Sequence, residues 1–218
     1  MYTPSHFALE DGPAVQRIMR KYNFATLVSG TQTDVMASHL PLLWTSQGGQ
    51  YGSLRGHMAR ENPQWEQLAD GGEVLAIFLS NHAYISPNWY LSRPAVPTWN
   101  YSAVHAYGTP SLIEETSCIK DLLRGMVEFE DPDPGNAWPD TADYKKLVEE
   151  MIPHIVAFDI SIVRLHSKAK LSQNRPETDR RQVMDNLRGS ADAGAQKVAE
   201  DMEAFYGYRT RNDPDGVA

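Results

Sequence analysis

Val15, Ile18 and Met19 recur at the spacing of one helical face across residues 14–22 (AVQRIMRKY), and Asp11-Gly12-Pro13 leads the chain into an amphipathic helix there. The period then shortens. Residues 24–29 (FATLVS) are apolar and β-branched, 30–34 read as a turn, and 35–44 (VMASHLPLLW) return to extended structure, which predicts an antiparallel hairpin. Pro41 has no N–H to give a ladder, so the second strand belongs at an edge, at a bulge, or is irregular at the proline. Residues 47–50 (QGGQ) signal a tight turn and 51–58 a third strand. That strand leads into a helix with Asn62 as N-cap and Pro63 in its first turn, running through Trp65 and Leu68 to a stop at Gly71-Gly72.

Residues 73–79 (EVLAIFL) are almost continuously apolar and predict a buried strand; 95–108 (AVPTWNYSAVHAYG) predict another behind a proline-bearing loop. Between them, 80–93 mix aromatics with turn formers and suit a loop lining a pocket. Helical spacing returns at 117–129 and 141–152, separated by an irregular excursion over 130–139 (EDPDPGNAWP). A last strand covers 155–165. A polar, basic stretch follows at 168–177, then a charged helix, a final helix near 191–206, and a frayed tail at 209–218. About six strands, mostly consecutive and joined by short turns, favour a mainly β fold with peripheral helices (α+β), an antiparallel barrel, over a doubly wound parallel sheet. The expected organisation is one domain over 1–180, with a helical excursion at 114–153, and helices of 181–218 packed on it.

Composition narrows the function. The 218 residues are 41% hydrophobic, ordinary for a folded protein. A formal net charge of −8 makes the surface a poor partner for DNA at large, so any DNA contact is local or indirect. One cysteine, Cys118, rules out an intrachain disulfide or a cysteine-based zinc cluster and fits a reducing, cytoplasmic setting. The opening MYTPSHFALED has neither a basic nor an apolar leader region, and no stretch has the length of a membrane span, so a protein that is neither exported nor membrane-bound is expected.

The candidate chemistry concentrates in residues 52–65 (GSLRGHMARENPQW). A phosphate monoester needs fixed cationic and hydrogen-bond donors. Arg55 and His57 share one strand face, and Arg60 and Asn62 stand at the turn into the proline-started helix; Arg60 is the leading phosphate ligand. The competing reading is a surface charge and a plain N-cap. None of the seven histidines pairs at the i, i+4 spacing of an HExxH helix, and no metal site is expected. GxSxG, GxGxxG and P-loop strings are absent, and no catalytic residue is nominated. Trp89, Tyr90, Trp99 and Tyr101 suit a planar ligand, a subunit seal or plain core. Lys168, Lys170, Gln173, Asn174 and Arg175 either bind an anion or solvate a loop.

Six strings, MYTPSHF at the start, SHLPLL at 38–43, GHMARENPQW at 56–65, HAYISPNWY at 82–90, VPTWNYSAVHAYG at 96–108 and KLSQNRPETDR at 170–180, resemble the PaiB-type FMN-binding negative transcriptional regulators. The resemblance implies an FMN-binding split barrel in which two subunits of a homodimer build each flavin site. It implies His57, Arg60 and Asn62 at the phosphate and Ser38, His39 and Leu40 along the ring. It implies Trp99, Asn100, Tyr101, Lys170, Ser172 and Gln173 completing the site. Regulation would be indirect, through a regulatory protein partner, or through a local DNA contact. Relatives of this fold suggest two alternatives: a flavin-dependent oxidoreductase passing electrons from NAD(P)H to a small acceptor, and a haem-binding or haem-degrading barrel with His105 or His166 as ligand.

Overall fold

The apolar face predicted near the N-terminus lies on α1 (Gly12–Lys21), where Val15 and Met19 are buried. The computed structural model describes residues 1–207 except Gln32, Pro132, 134–137 and Asp140, so part of the 130–139 excursion and the whole 209–218 tail lie outside the described residues. After α1 come β1 (Phe24–Gly30), β2 (Val35–Pro41), β3 (Leu43–Thr45), β4 (Ser53–Ala59), α2 (Gln64–Ala69), β5 (Val74–Leu79) and β6 (Ala83–Ile85). Then follow β7 (Thr98–Ile113), α3 (Thr116–Glu130), α4 (Ala142–Met151), β8 (Ile155–Lys170), α5 (Glu177–Arg188) and α6 (Ala193–Tyr206). The described strands number eight where about six were expected, in one sheet ordered β2-β1-β5-β7-β8-β4-β3, with β6 on β7. The β1–β2, β1–β5, β3–β4, β4–β8 and β6–β7 pairs are all antiparallel, as the sequence pattern implied.

Two compact units share the chain, one formed by residues 1–15, 79–103 and 167–207, the other by 16–78 and 104–166. In the second, β1 and β2 pair from Phe24↔Pro41 to Gly30↔Val35. Pro41 takes the last rung of an edge strand, where a missing N–H interrupts no second ladder. The expected second strand breaks at Leu42: its side chain is fully buried and its N–H donates to Asn23 O at 2.9 Å, so β3 restarts against β4. Residues 35–45 thereby supply both ends of the strand order. Alternation sends Leu54, Gly56 and Met58 inward and Arg55, His57 and Ala59 to the other face of β4. Leu27, Phe78, Phe158, Ile160 and Ile162 complete this unit's core.

A buried amide fastens α2 to the hairpin. Gln64 has no exposed surface, and its Nε2 lies within hydrogen-bond distance of Leu27 O (3.0 Å), Ser29 Oγ (3.1 Å) and Met36 O (3.3 Å). On the far side of β8, Ile119, Leu122 and Met126 of α3 pack with Ala157, placing the helical excursion against that strand.

In the first unit, the aromatic loop of 80–93 holds a strand the pattern concealed. β6 pairs with β7 over Ala83↔Asn100 to Ile85↔Thr98. Val183, Leu187, Val198 and Met202 form the apolar seam of α5 and α6. Asp179, fully buried, accepts from Leu91 N (2.7 Å), Ser92 N (3.2 Å) and Ser92 Oγ. Burial alone would raise its pKa, but these hydrogen bonds and the Arg175 charge outweigh burial and lower it from the ordinary 3.8. A depressed folded pKa adds stability that is complete above the ordinary value and is lost as pH falls through the folded value. Urea melts of wild type and Asp179→Ala are therefore expected to differ clearly at neutral pH and to converge on acidification below the ordinary aspartate range.

Candidate functional site

The turn from β4 into α2 is held from both sides. Arg60 N donates to His154 O at 2.8 Å, its Nε to Pro153 O at 2.9 Å and its Nη2 to Ile155 O at 2.9 Å. These bonds aim the guanidinium along the start of β8 and leave further N–H groups on an exposed side chain. The Trp65 indole donates to Arg60 O at 3.0 Å, and the guanidinium lies 5.9 Å from that ring. Asn62 is consumed structurally: its Oδ1 accepts from Gln64 N (3.0 Å) and its Nδ2 donates to Ser38 Oγ (2.8 Å). At six residues, α2 is too short for its dipole to be a substantial anion attractant, so the side chains and backbone of the turn provide the chemistry.

His57 stands on β4 two positions before the strand ends at Ala59, on the face it shares with Arg55 and Ala59. Its Nδ1 is buried without a hydrogen-bond partner among the described residues, and burial lowers its pKa, keeping the ring neutral near pH 7. Arg55, on that face too, is already committed, its Nε donating to Asp159 Oδ2 at 2.7 Å. On β2 the period of two separates the expected ring-lining residues. Ser38 and Leu40 share one face, while His39 points to the other and its Nδ1 meets Thr26 Oγ1 at 3.0 Å.

The first unit gathers the later set. Asn100 is fully buried; its Nδ2 donates to Ser172 Oγ at 2.9 Å and lies 3.4 Å from Met202 Sδ. Ser172 sits at φ 68°, a left-handed conformation unusual for a non-glycine residue, and the Asn100 amide holds it there. Gln173 braces the same turn, accepting from Leu171 N (2.7 Å) and donating to Ala169 O (2.5 Å). Lys170 Nζ donates to Trp99 O (2.6 Å) and Thr98 Oγ1. The Trp99 ring is half exposed beside His82 and Tyr84, and Tyr101 lies 5.5 Å from Lys168 Nζ. Asn100, Ser172 and Gln173 thus shape a loop, while Trp99 is half exposed and Tyr101 and Lys170 are partly buried.

The two histidines considered as haem ligands flank Tyr107. His166 packs edge-on at 5.2 Å, His105 lies at 6.5 Å, and the Arg164 guanidinium covers the ring at 3.6 Å. Burial lowers both histidine pKa values. Among the described residues no group of three or more His, Cys, Asp or Glu is placed to hold a metal ion, Cys118 is exposed on α3, and no helix is long and apolar enough to cross a membrane. Two important residues, Gln64 and Asp179, lie inside the strings GHMARENPQW and KLSQNRPETDR but carry no sequence signal of their roles. Gln64 reads as an ordinary helix position, and Asp179 serves a loop 88 residues away.

These residues fit a phosphate monoester. An unpaired buried imidazole nitrogen is costly on its own, a hydrogen bond with a phosphate oxygen would offset that cost, and Arg60 keeps N–H groups to spare. The solved structures most like this one include the flavocytochrome Anf3 of Azotobacter vinelandii, with TM-score 0.60 at 15% identity over 79% of this chain and 74% of that one. The FAD and heme binding protein of Mycobacterium smegmatis gives TM-score 0.51 at 13% identity, covering 72% and 70%. The fold is therefore that of the split barrels. Residues 1–164 match the family model described as "Putative FMN-binding domain", and the chain is 36% identical over 204 residues to the Protease synthase and sporulation protein PAI 2 of Bacillus subtilis, covering 93% of this chain and 97% of that relative. The chain belongs to this FMN-binding family, in its PaiB-type branch.

Proposed function

We propose that this protein is an FMN-binding transcriptional regulator of the PaiB type, acting in the cytoplasm as a homodimer that holds the flavin where its subunits meet. The observation that carries this reading is the β4–α2 segment, which holds an unpartnered, buried His57 nitrogen on the strand and, three residues on, an Arg60 guanidinium with donors to spare, in a chain of an FMN-binding family. Arg60 takes the phosphate and neutral His57 adds a hydrogen bond. Asn62 fixes the turn through Ser38 and Gln64, and Ser38 and Leu40 flank the ring from β2. FMN supplies a planar, reversibly reducible ring; the chain supplies position and electrostatics.

Large apolar side chains stand exposed within the sheet at Phe24 (69%), Val35 (72%) and Val163 (50%), surface that a second copy covers in this reading. Trp99 and Tyr101 close the flavin site from the other subunit. The acidic surface limits DNA contact to a local patch or to a regulatory protein partner. Transcript profiling tests the function. Deletion of the gene and its replacement by the Arg60→Ala form are expected to change the same set of transcripts. An unchanged profile in both strains, with the purified protein monomeric in sedimentation, would overturn the reading.

A further inference from the structure

Within the first unit lies a cavity of about 130 Å³, near the size at which an engineered protein cavity of about 150 Å³ accepts benzene. Its lining has two characters. Phe7 and Tyr90, both buried, supply apolar surface, and Thr98, Asn100, Lys170 and Arg175 bring polar atoms, with Lys170 Nζ 5.7 Å from the Phe7 ring. The two cations are neutralised by no carboxylate in contact. Lys170 Nζ donates only to neutral oxygens, Trp99 O and Thr98 Oγ1, and the Arg175 guanidinium lies over the Tyr90 ring at 4.3 Å. Among the described residues neither forms an ion pair. Asp179 feels the Arg175 charge, but its oxygens are engaged by the Leu91 and Ser92 N–H groups and the Ser92 hydroxyl.

Burial, and then the neighbouring Lys168 charge, lower the Lys170 pKa. Two cations, Lys170 and Arg175, lining one half-apolar cavity in a chain of net charge −8 form a local exception to the protein's electrostatics.

We propose that this cavity binds a small organic acid, its carbon body against Phe7 and Tyr90 and its carboxylate between Lys170 and Arg175. Guanidinium and ammonium donors suit a carboxylate, and the buried Asn100–Ser172 pair keeps the loop that carries both cations in its left-handed turn. The apolar wall favours an acid with a short chain or ring over a free inorganic anion. This site lies apart in sequence from the β4–α2 segment proposed for the flavin phosphate; Asn100, Lys170 and Ser172, which the family resemblance gives to the flavin, serve the acid in this reading, and a flavin-binding regulator gains a place to sense a metabolite.

Calorimetric titration of the full chain, with and without FMN, tests this with benzoate, butyrate, benzamide and inorganic phosphate as probes. At least one acid is expected to bind saturably, with benzamide weaker by about tenfold or more, and Arg175→Gln and Lys170→Gln each weakening the acid by a similar factor. Arg175→Gln, on the loop after β8, keeps the test decisive if the Lys170 variant fails to fold. The FMN titration of Arg175→Gln stays at the wild-type value, so failure of the acid site and failure of the flavin reading are separable. Three results would overturn the proposal: no acid binding at concentrations on the order of tens of millimolar, acid binding undiminished in both variants, or inorganic phosphate binding more tightly than either acid.

Discussion

Replacing Gly52 by alanine is expected to destabilise the protein by roughly 3 kcal/mol, from a left-handed backbone cost of about 1–2 and an overpacking cost of about 1–3. Gly52 has φ 83°, and a Cβ there would stand 2.1 Å from Thr45 O and 2.9 Å from the Trp44 indole nitrogen. The first obstacle is backbone and cannot swing aside. Moving Gly52 also disturbs its carbonyl, which accepts from Ile162 N at 3.0 Å and ties the start of β4 to β8. For a chain of this size the loss corresponds to a melting temperature lower by about 6–12 °C. Gly71 is the internal control. It too is left-handed, φ 73°, but an added Cβ meets nothing within 4 Å, so Gly71→Ala is expected to cost only about 1–2 kcal/mol. Chemical denaturation of the two variants side by side separates backbone strain from collision; equal losses would show that the contact at Thr45 relaxes without cost.

Arg60→Ala carries the second large effect, and it acts twice. The side chain donates to Pro153 O and Ile155 O, so its removal strips two carbonyls at the start of β8 of charge-assisted partners. On an exposed side chain this amounts to about 1 kcal/mol after solvent screening. The effect on flavin is larger: loss of a fixed cationic donor to phosphate is expected to weaken FMN by about tenfold to a hundredfold. Arg60→Lys retains the charge but not the planar fork, and falls between. Fluorescence titration beside a melting curve for each variant distinguishes the two roles. A variant that melts lower yet binds FMN as wild type would make Arg60 purely a brace for the turn.

Much of the architecture was legible because hydrophobic period and turn chemistry agreed along most of the chain. The predicted 24–29, 73–79, 117–129 and 141–152 segments appear as β1, β5, α3 and α4 with ends shifted by a residue or so. The failures have local causes. One run of apolar residues over 35–44 looks like a single strand, and only burial of Leu42 and its hydrogen bond to Asn23 decide that it breaks and changes partner. β6 is three residues long, too short for alternation to register among turn formers. β8 continues to Lys170 beyond its apolar stretch because the chain is still paired there; Ala8 bridges Lys168, and Leu9 N donates to Ser167 O.

The candidate site was legible by residue type but not by orientation. Arg60 and Asn62 stand at the β4–α2 turn and His57 on the strand before it, yet Asn62 is spent on Ser38 and Gln64, and His39 turns away from Ser38 and Leu40. Phe7 enters the cavity wall from a segment more than ninety residues distant from Asn100 and Arg175, a proximity that no local pattern encodes.

The claim that the chain holds FMN by its phosphate is tested most directly by titrating the flavin-free protein with FMN and, in parallel, with riboflavin, which has the same ring and no phosphate. The account predicts saturable FMN binding with riboflavin weaker by about a hundredfold, as expected for the loss of a charge-assisted phosphate anchor. Equal affinities for the two flavins, or no FMN binding, would contradict it.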